Sequence, residues 1–314
     1  MSAVEEDDNT VLCCASCGIA GGDDIKLNKC ACKLVKYCSM KCQKDHRKQH
    51  KQTCKKRVDE LRDEMLFKQP ESTHLGDCPI CCVPLPLDPL KSGLYLCCSK
   101  QICTGCDIAQ KRIEAEGGLQ SKCPFCRNTM PKTEEERNEQ KMKRIEANDP
   151  VALREMGNER YEEGDFKSAL EYWSKAAALG DLTAHYHLSI LYRDGEGVEK
   201  DEKKELYHLK EAVIGGNPNA RHNLGCIEGV NGRHERAIKH FTIAAKQGYD
   251  DSLEELKGLY KAGLMSKDDF AAALRGHHAA IGATKSPQRE EAAVFWDYVE
   301  DLKSGRAQLP PSMC

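Results

Sequence analysis

The chain has 314 residues, of which 31% are charged and 40% hydrophobic, and its formal net charge is −3. This length fits two or three domains. Because no apolar run reaches the roughly 18 residues of a membrane span, the sequence predicts no membrane partner. The acidic start, Glu5 to Asp8, is unlike a signal peptide, so we expect an intracellular protein, cytoplasmic or nuclear or both.

Cysteine content is the most informative feature of the composition. Of 19 cysteines, 17 lie between Cys13 and Cys126, and only Cys226 and Cys314 lie beyond. Most occur in C-x-x-C or C-x-x-x-C pairs. In a chain without a secretory signal, this spacing indicates thiolate metal ligation in place of disulfides. The cysteines form two clusters, which predict two small zinc modules.

The first cluster holds seven thiolates and one imidazole in four pairs: Cys14 and Cys17, Cys30 and Cys32, Cys38 and Cys42, His50 and Cys54. Eight ligands suffice for two tetrahedral zinc sites. A four-residue spacing places two ligands one helical turn apart, on the same face. The segment has little apolar content, so zinc, at about 10–16 kcal/mol per structural ion, would supply its folding energy.

The stretch from Tyr37 to His46, continued by His50 to Cys54, resembles a MYND finger. The resemblance implies interleaved pairs, with one zinc at Cys14, Cys17, Cys38 and Cys42 and the other at Cys30, Cys32, His50 and Cys54. Cys13 is an alternative to Cys14, but the usual spacing favours Cys14. Arg47 stands where relatives carry a tryptophan, in the region that helps them bind proline-rich peptides.

A basic run accompanies this cluster. Between Lys33 and Arg57 there are ten Lys or Arg residues and a single acid, Asp45. The favoured interpretation is a solvated face that balances the thiolate charge. The alternative is contact with an acidic peptide or with nucleic acid, of which nucleic acid is the less expected partner. From Lys55 to Phe67 the sequence predicts a helix, which Pro70 would stop.

The second cluster also contains four pairs: Cys78 and Cys81, Cys97 and Cys98, Cys103 and Cys106, Cys123 and Cys126. The knuckles Cys78-Pro-Ile-Cys81 and Cys123-Pro-Phe-Cys126-Arg127 resemble the two ends of a RING finger, and Cys98 to Cys103 resembles the all-cysteine RING of a deadenylase-complex subunit. The implied cross-brace joins Cys78, Cys81, Cys103 and Cys106 on one zinc and Cys97, Cys98, Cys123 and Cys126 on the other.

Three further points concern individual cysteines of this cluster, namely Cys97, Cys98 and Cys82. Adjacent cysteines on one ion form a strained chelate, so whether Cys97 and Cys98 both bind stays open. Cys82 could bind only by breaking the first knuckle, and we expect it to be a spare buried thiol.

A RING has no catalytic residue of its own. It binds a ubiquitin-conjugating enzyme and orders the thioester-linked ubiquitin for attack, which is catalysis by proximity. Ile80, Pro124 and Arg127 occupy the positions with which active relatives contact that enzyme. The alternative is that Ile80 and Pro124 only close their knuckles and that Arg127 is a solvated charge.

An internal repeat begins at Pro150. Turn glycines recur at Gly164, Gly195, Gly232 and Gly263, and each should end the first helix of a pair in a left-handed conformation. Such pairs stack into a solenoid because one pair cannot bury its apolar face alone. The run from Gly195 to Asp201 resembles SEL-type repeats, relatives of tetratricopeptide repeats, which implies a concave surface for proteins or peptides.

Four side chains of the repeats, His185, Tyr186, His187 and His208, could line that surface, although packing roles are favoured. An amphipathic helix from Ala292 to Leu302 is expected to cap the solenoid.

These patterns predict a mainly α fold, with two zinc-stabilised modules before an α-solenoid. The expected segments are a disordered start (1–12), a MYND finger (13–54), a helical linker (55–77), a RING-type finger (78–127), a charged linker (128–149), SEL-type repeats (150–281), a final helix (282–302) and a disordered tail (303–314). Four zinc ions are expected. The favoured function is a ubiquitin ligase or ligase-like adaptor, in which the MYND finger and the repeats recruit a protein substrate. The alternative is a non-catalytic scaffold with a structural RING.

Overall fold

The structure, a computed structural model, describes residues 13–21 and 25–303. This part of the chain divides into two compact units after Lys68 and contains twelve α-helices and two two-stranded sheets. The predicted mainly helical fold, with small cysteine-rich modules before stacked helix pairs, is confirmed. The predicted disordered start, and the predicted tail from residue 304 onward, lie outside the described residues.

The first unit is built around one long helix. Strands β1 (Asn28–Lys29) and β2 (Lys36–Tyr37) pair antiparallel, and α1 (Met40–Phe67) follows. The Ser39 hydroxyl caps α1 by accepting a 3.2 Å hydrogen bond from the backbone N–H of Cys42. No glycine or proline interrupts the chain between the cap and the end of α1, so the helix predicted from Lys55 is only the second half of a 28-residue helix.

The second unit opens with the other cysteine-rich module. A short 3₁₀ helix (Pro89–Lys91) leads into the hairpin of β3 (Ser92–Tyr95) and β4 (Lys100–Cys103), and α2 (Thr104–Glu116) follows directly. The cysteines share a small core with Leu85, Tyr95 and Ile102, all of which are buried. The Tyr95 hydroxyl donates a 2.7 Å hydrogen bond to Asp107 of α2, which fixes the hairpin against the helix.

The charged segment that follows is ordered. It forms α3 (Glu134–Glu146), capped by Thr133. Lys141 of α3 is almost fully buried and forms an ion pair with Glu159 of the next helix. Because a buried charge must be paired to be tolerated, this contact ties α3 to the stack of helix pairs.

Four helix pairs form the stack: α4 (Pro150–Glu162) with α5 (Phe166–Ala178), α6 (Leu182–Asp194) with α7 (Glu202–Ile214), α8 (Pro218–Val230) with α9 (His234–Ala245), and α10 (Asp250–Lys261) with α11 (Lys267–Ala283). The recurring glycines after α4, α6, α8 and α10 have φ between 72° and 79°, as predicted. Glycines allow close packing inside two of the pairs, since Gly157 of α4 lies against Trp173 of α5 and Gly225 of α8 against Phe241 of α9.

The last helix, α12 (Pro287–Lys303), begins earlier than the predicted Ala292. It packs against α2 of the second cysteine-rich module, where we had expected it to cap the stack. Arg289 lies in this contact, beside Gly105 of α2, and both Arg289 and Ala292 are buried. Among the described helices, none combines the length and the apolar character needed to cross a membrane.

Candidate metal centres

Four groups of metal-binding side chains are assembled in the described residues. In each group the four donor atoms lie within 4.8 Å of one another. The groups are Cys14, Cys17, Cys38 and Cys42 (site A); Cys30, Cys32, His50 and Cys54 (site B); Cys78, Cys81, Cys103 and Cys106 (site C); and Cys97, Cys98, Cys123 and Cys126 (site D). The structure thus brings together the sixteen predicted ligands in the predicted sets.

Site A joins the first knuckle to the start of α1. The Sγ atoms of Cys17 and Cys38 are 3.6 Å apart, and those of Cys38 and Cys42 are 3.5 Å apart. A tetrahedron with Zn–S bonds of about 2.3 Å has edges of about 3.8 Å, so the spacing of the sulfurs fits zinc. Backbone N–H groups of Cys17 and Cys38 point at the Cys14 sulfur and lower the pKa of its thiol to about 6, which favours the thiolate that zinc requires.

Site B contains the imidazole ligand. The Sγ atom of Cys32 is 3.1 Å from Nε2 of His50, and the sulfurs of Cys30 and Cys54 are 3.5 Å apart. The His50 ring stacks on His46, with centroids 5.5 Å apart and planes 8° apart.

His46 has an orienting role that the sequence analysis missed. Its Nδ1 lies 2.9 Å from the Tyr37 hydroxyl, so Tyr37 holds His46, and His46 supports the ring of His50. The four-residue spacing of His46 and His50 could have predicted this contact, because it places the two side chains on one face of a helix.

Site C lies between the first knuckle of the second module and the junction of β4 with α2. The Sγ atoms of Cys81 and Cys103 are 3.8 Å apart. Burial opposes ionisation of Cys78, but hydrogen bonds from the backbone N–H groups of Cys103 and Cys81 outweigh it and lower the pKa of the Cys78 thiol to about 6.

Site D includes both members of the adjacent pair. Cys98 lies 3.6 Å from Cys123, and Cys97 lies 3.4 Å from Cys126, measured between sulfurs. Both reach the site because they sit in the turn of the β3–β4 hairpin, which Ser99 closes with a left-handed φ of 55°. The hairpin turn therefore orients two consecutive side chains toward one point.

Three knuckles share one backbone pattern. In each, the backbone N–H of the first cysteine donates to the carbonyl oxygen five residues later, as Cys14 does to Ile19, Cys78 to Val83 and Cys123 to Asn128. The N–H of the residue after the second cysteine donates to the carbonyl oxygen of the first cysteine, as Gly18 does to Cys14, Cys82 to Cys78 and Arg127 to Cys123. The residues after the second cysteines have φ between 53° and 75°. At Cys82 this turn leaves the side chain exposed, so the prediction that Cys82 is buried is wrong.

The chemistry of the donor sets fits structural zinc. Sulfur with nitrogen in a tetrahedral set is the usual environment of zinc in proteins. Each site offers four protein ligands, and closed sites of that kind stabilise a fold and leave no position for a substrate. The cysteines just outside the sets, Cys13 and Cys82, are both exposed.

The three predicted partner-contact residues of the second module are accessible. The side chain of Ile80 is 45% exposed, Pro124 is partly exposed, and Arg127 is exposed. Ile80 lies in the knuckle of site C, whereas Pro124 lies in the knuckle of site D. A hydrophobic side chain this exposed on a rigid loop is available to a partner.

The aromatic and histidine side chains of the repeats pack among themselves. His187 stacks on Trp173 with centroids 4.7 Å apart, and Nδ1 of His185 lies 3.0 Å from Nδ1 of His208. Burial, followed by the charge of neighbouring Arg154, lowers the pKa of His187 to about 4. Burial, followed by His185, does the same to His208. These contacts fit the packing role that the sequence analysis favoured.

The basic run lies largely on α1. Lys44, Arg47 and Lys51 line a groove of about 410 Å³ beside site B. Arg57, at the end of the run, is paired with Glu60 and Glu64 at 3.2 and 2.9 Å. Part of the basic charge is thus neutralised within α1.

Comparison with protein families identifies two parts of the chain. Residues 14–54 match the family model of the MYND finger. Residues 150–181, 182–217 and 218–249 match the model of the Sel1 repeat. The chain therefore carries a MYND finger and Sel1 repeats, with a second cysteine-rich module, residues 78–126, between them.

Similar proteins include one curated relative and two solved structures. Chitin synthase regulatory factor 4 of Schizosaccharomyces pombe is 32% identical over 89 residues, which are 28% of this chain and only 14% of that protein. Among solved structures, a Sel1 repeat protein from Oxalobacter formigenes aligns with 57% of this chain and 74% of its own at 21% identity and a TM-score of 0.41. An Escherichia coli protective antigen with an SLR fold, c5321, aligns over 66% of this chain and 42% of its own length, at 21% identity and a TM-score of 0.38.

Proposed function

We propose that this chain is a zinc-held protein-interaction protein that acts as a ubiquitin ligase or a ligase-like adaptor. Residues 78–127 would form a RING-type module that engages a ubiquitin-conjugating enzyme. The MYND finger (13–54) and the repeats (150–281) would recruit a protein substrate. The presence of a MYND finger and Sel1 repeats supports the protein-binding part of this proposal.

The observation that carries the ligase proposal is the interleaved ligand pattern of the second module. The first and third cysteine pairs converge on site C, and the second and fourth converge on site D. This is the cross-brace of the RING resemblance. In this arrangement each zinc ion ties together distant parts of the segment, so the knuckle loops that carry Ile80 and Pro124 are held as rigid contact surfaces.

The proposed mechanism uses binding and orientation alone. The chain would supply no nucleophile, because the thioester already carries the activated ubiquitin. Ile80 and Pro124 would contact the conjugating enzyme, and Arg127 would offer hydrogen bonds to the bound ubiquitin or enzyme. Restricting a reactive group to its productive orientation is enough to accelerate transfer.

A non-catalytic scaffold is the second candidate. The name of the S. pombe relative, a chitin synthase regulatory factor that matches 89 residues of this chain, supports it. In that case the second module would hold a partner or an adjacent helix, with no effect on ubiquitin transfer.

Lysine discharge from ubiquitin-loaded conjugating enzymes separates the two candidates. The assay uses zinc-loaded full chain, a broad enzyme panel and the variant Ile80→Ala. Ile19→Ala is a matched control, because Ile19 is equally exposed, at 46%, but belongs to the first unit. A ligase should accelerate discharge with at least one enzyme, Ile80→Ala should abolish the effect, and Ile19→Ala should retain it.

Zinc content is measured on the same samples so that a lost module is not mistaken for a lost contact. If no enzyme in the panel is discharged faster by protein that carries its full zinc content, the ligase proposal fails and the scaffold remains.

A further inference from the structure

Arg289 of α12 inserts into the second cysteine-rich module. Its Nη1 donates to the carbonyl oxygens of Pro84 and Thr284, both at 2.7 Å. Its Nη2 donates to the carbonyl of Val83 at 2.9 Å and to the Sγ atom of Cys81 at 3.5 Å. One guanidinium thus joins the last helix to a metal-site sulfur more than 200 residues earlier.

The contact is enclosed. Only 9% of Arg289 is exposed. α2 meets α12 closely at Gly105, where an added Cβ would lie 2.9 Å from the backbone nitrogen of Arg289. A buried guanidinium is tolerated only when its hydrogen bonds are made and its charge is balanced. The carbonyl oxygens accept from both Nη groups, whereas Nε has no hydrogen-bond partner among the described residues. A thiolate at Cys81 would balance the charge.

The same residues close the knuckle of site C. The Val83 carbonyl accepts both from Arg289 and from the backbone N–H of Cys78, the latter at 3.0 Å. A zinc ion with four thiolates carries a net charge of about −2, and hydrogen bonds to such sulfurs both spread that charge and hold the ligands in place. Arg289 is placed to do both.

We infer that Arg289 is an outer-coordination residue of site C, so that zinc in this site and the docking of α12 stabilise each other. The coupling is reciprocal, as any thermodynamic linkage must be. Docked α12 raises the affinity of site C for zinc, and loss of that zinc weakens the docking of α12 on α2. The second module therefore includes its last helix as a zinc-dependent part, and this inference does not depend on ligase activity.

The zinc affinity of the full chain tests the first half of the coupling. The equilibrium partition of zinc between the protein and a chromogenic chelator is compared for wild type, Arg289→Met and Arg289→Lys. Arg112→Met is the matched control, because Arg112 of α2 pairs with Glu291 of α12 at 3.9 Å on the exposed side of the same helix contact.

One of the four ions should bind about 10–100 times more weakly in Arg289→Met, the usual effect of losing an outer-shell partner. Its affinity should be intermediate in Arg289→Lys, which keeps the charge but not the forked geometry. Arg112→Met should match wild type. Wild-type zinc affinity in Arg289→Met, or an equal loss of affinity in Arg112→Met, would overturn the inference.

Chymotrypsin cleavage next to Phe295 and Trp296 of α12 tests the other half. Cys106→Ser, which removes a ligand of site C, should make cleavage at least several-fold faster than in wild type. Cys82→Ser, which alters an exposed thiol outside the four sites, should leave it unchanged. Resistance of α12 in Cys106→Ser protein that has lost zinc would mean that docking is independent of the metal, and the inference would fail.

Discussion

Replacing Gly157 by alanine tests how tightly the repeat helices pack. A Cβ at Gly157 of α4 would lie 2.4 Å from Cδ1 and 2.5 Å from Nε1 of Trp173, whereas ordinary carbon contacts are about 3.5–4.0 Å. Trp173 is only 2% exposed, and its Nε1 donates to the Arg154 carbonyl at 3.2 Å and to Asn158 at 3.1 Å. The ring must therefore move by about 1 Å and weaken these hydrogen bonds.

The expected magnitude follows from three contributions. Overpacking of a filled core costs about 1–3 kcal/mol, and one weakened hydrogen bond costs about 1 kcal/mol. Alanine in place of a helical glycine stabilises the helix by about 1 kcal/mol, which offsets part of this cost. Gly157→Ala should therefore lower the free energy of unfolding by about 1–3 kcal/mol.

Gly258→Ala is the matched control. Gly258 lies in α10 with nothing within 4 Å of an added Cβ, so only the gain in helix propensity remains, about 0.5–1 kcal/mol of stabilisation. Both variants are unfolded in guanidinium chloride as zinc-loaded full chain and followed by far-ultraviolet circular dichroism and tryptophan fluorescence. Midpoints that move in the same direction for both variants, or no change for Gly157→Ala, would refute the packing argument.

Three further predictions concern the metal sites and the histidines. Cys81→Ser should lose at least one zinc ion by native mass spectrometry while the adjacent Cys82→Ser keeps them all, and equal zinc content in the two would contradict the assignment of site C. Cys82→Gly should keep the zinc and raise the unfolding free energy by about 1 kcal/mol, because glycine adopts the left-handed φ of 53° without strain; a lower denaturation midpoint would count against this. The pKa of His208 is about 4 in the fold and about 6.5 when unfolded, so the unfolded chain binds the proton more readily and stability falls as the pH drops from 6.5 toward 4. His208→Gln should weaken that pH dependence, measured as denaturation midpoints at pH 7.5 and 5, and an unchanged dependence would contradict this.

The ligand sets could be predicted because they rest on local geometry. A C-x-x-C knuckle or a four-residue helical spacing fixes which two side chains share a site, and the family resemblances supplied the interleaving of pairs. The turn glycines were predictable for a similar reason, since Gly164 and Gly195 each follow a helix that must end in a left-handed residue. The knuckles, the helical spacing and the turn glycines require no knowledge of distant contacts, whereas the interleaving of pairs does and came from the resemblances.

The features that escaped prediction depend on distant contacts or on side-chain direction. The amphipathic pattern of α12 indicates that one face is buried, but it does not identify the surface on which that face packs. The contacts of Arg289 with Val83 and Pro84 cannot be predicted from the residues next to any of the three in sequence. Cys82 is exposed because its backbone adopts a left-handed φ of 53°, which the residue type does not predict. The role of Tyr37 depends on where the β1–β2 hairpin places it beside α1.

Native mass spectrometry of the full chain, purified with zinc and without chelator, counts the metal ions that the four donor sets hold. Four donor sets within 4.8 Å predict four zinc ions per chain, and stepwise chelation should remove them with loss of structure in the cysteine-rich modules while the helical circular dichroism of the repeats persists. Two ions per chain would mean that one of the modules does not bind zinc, and the account of that module would be wrong.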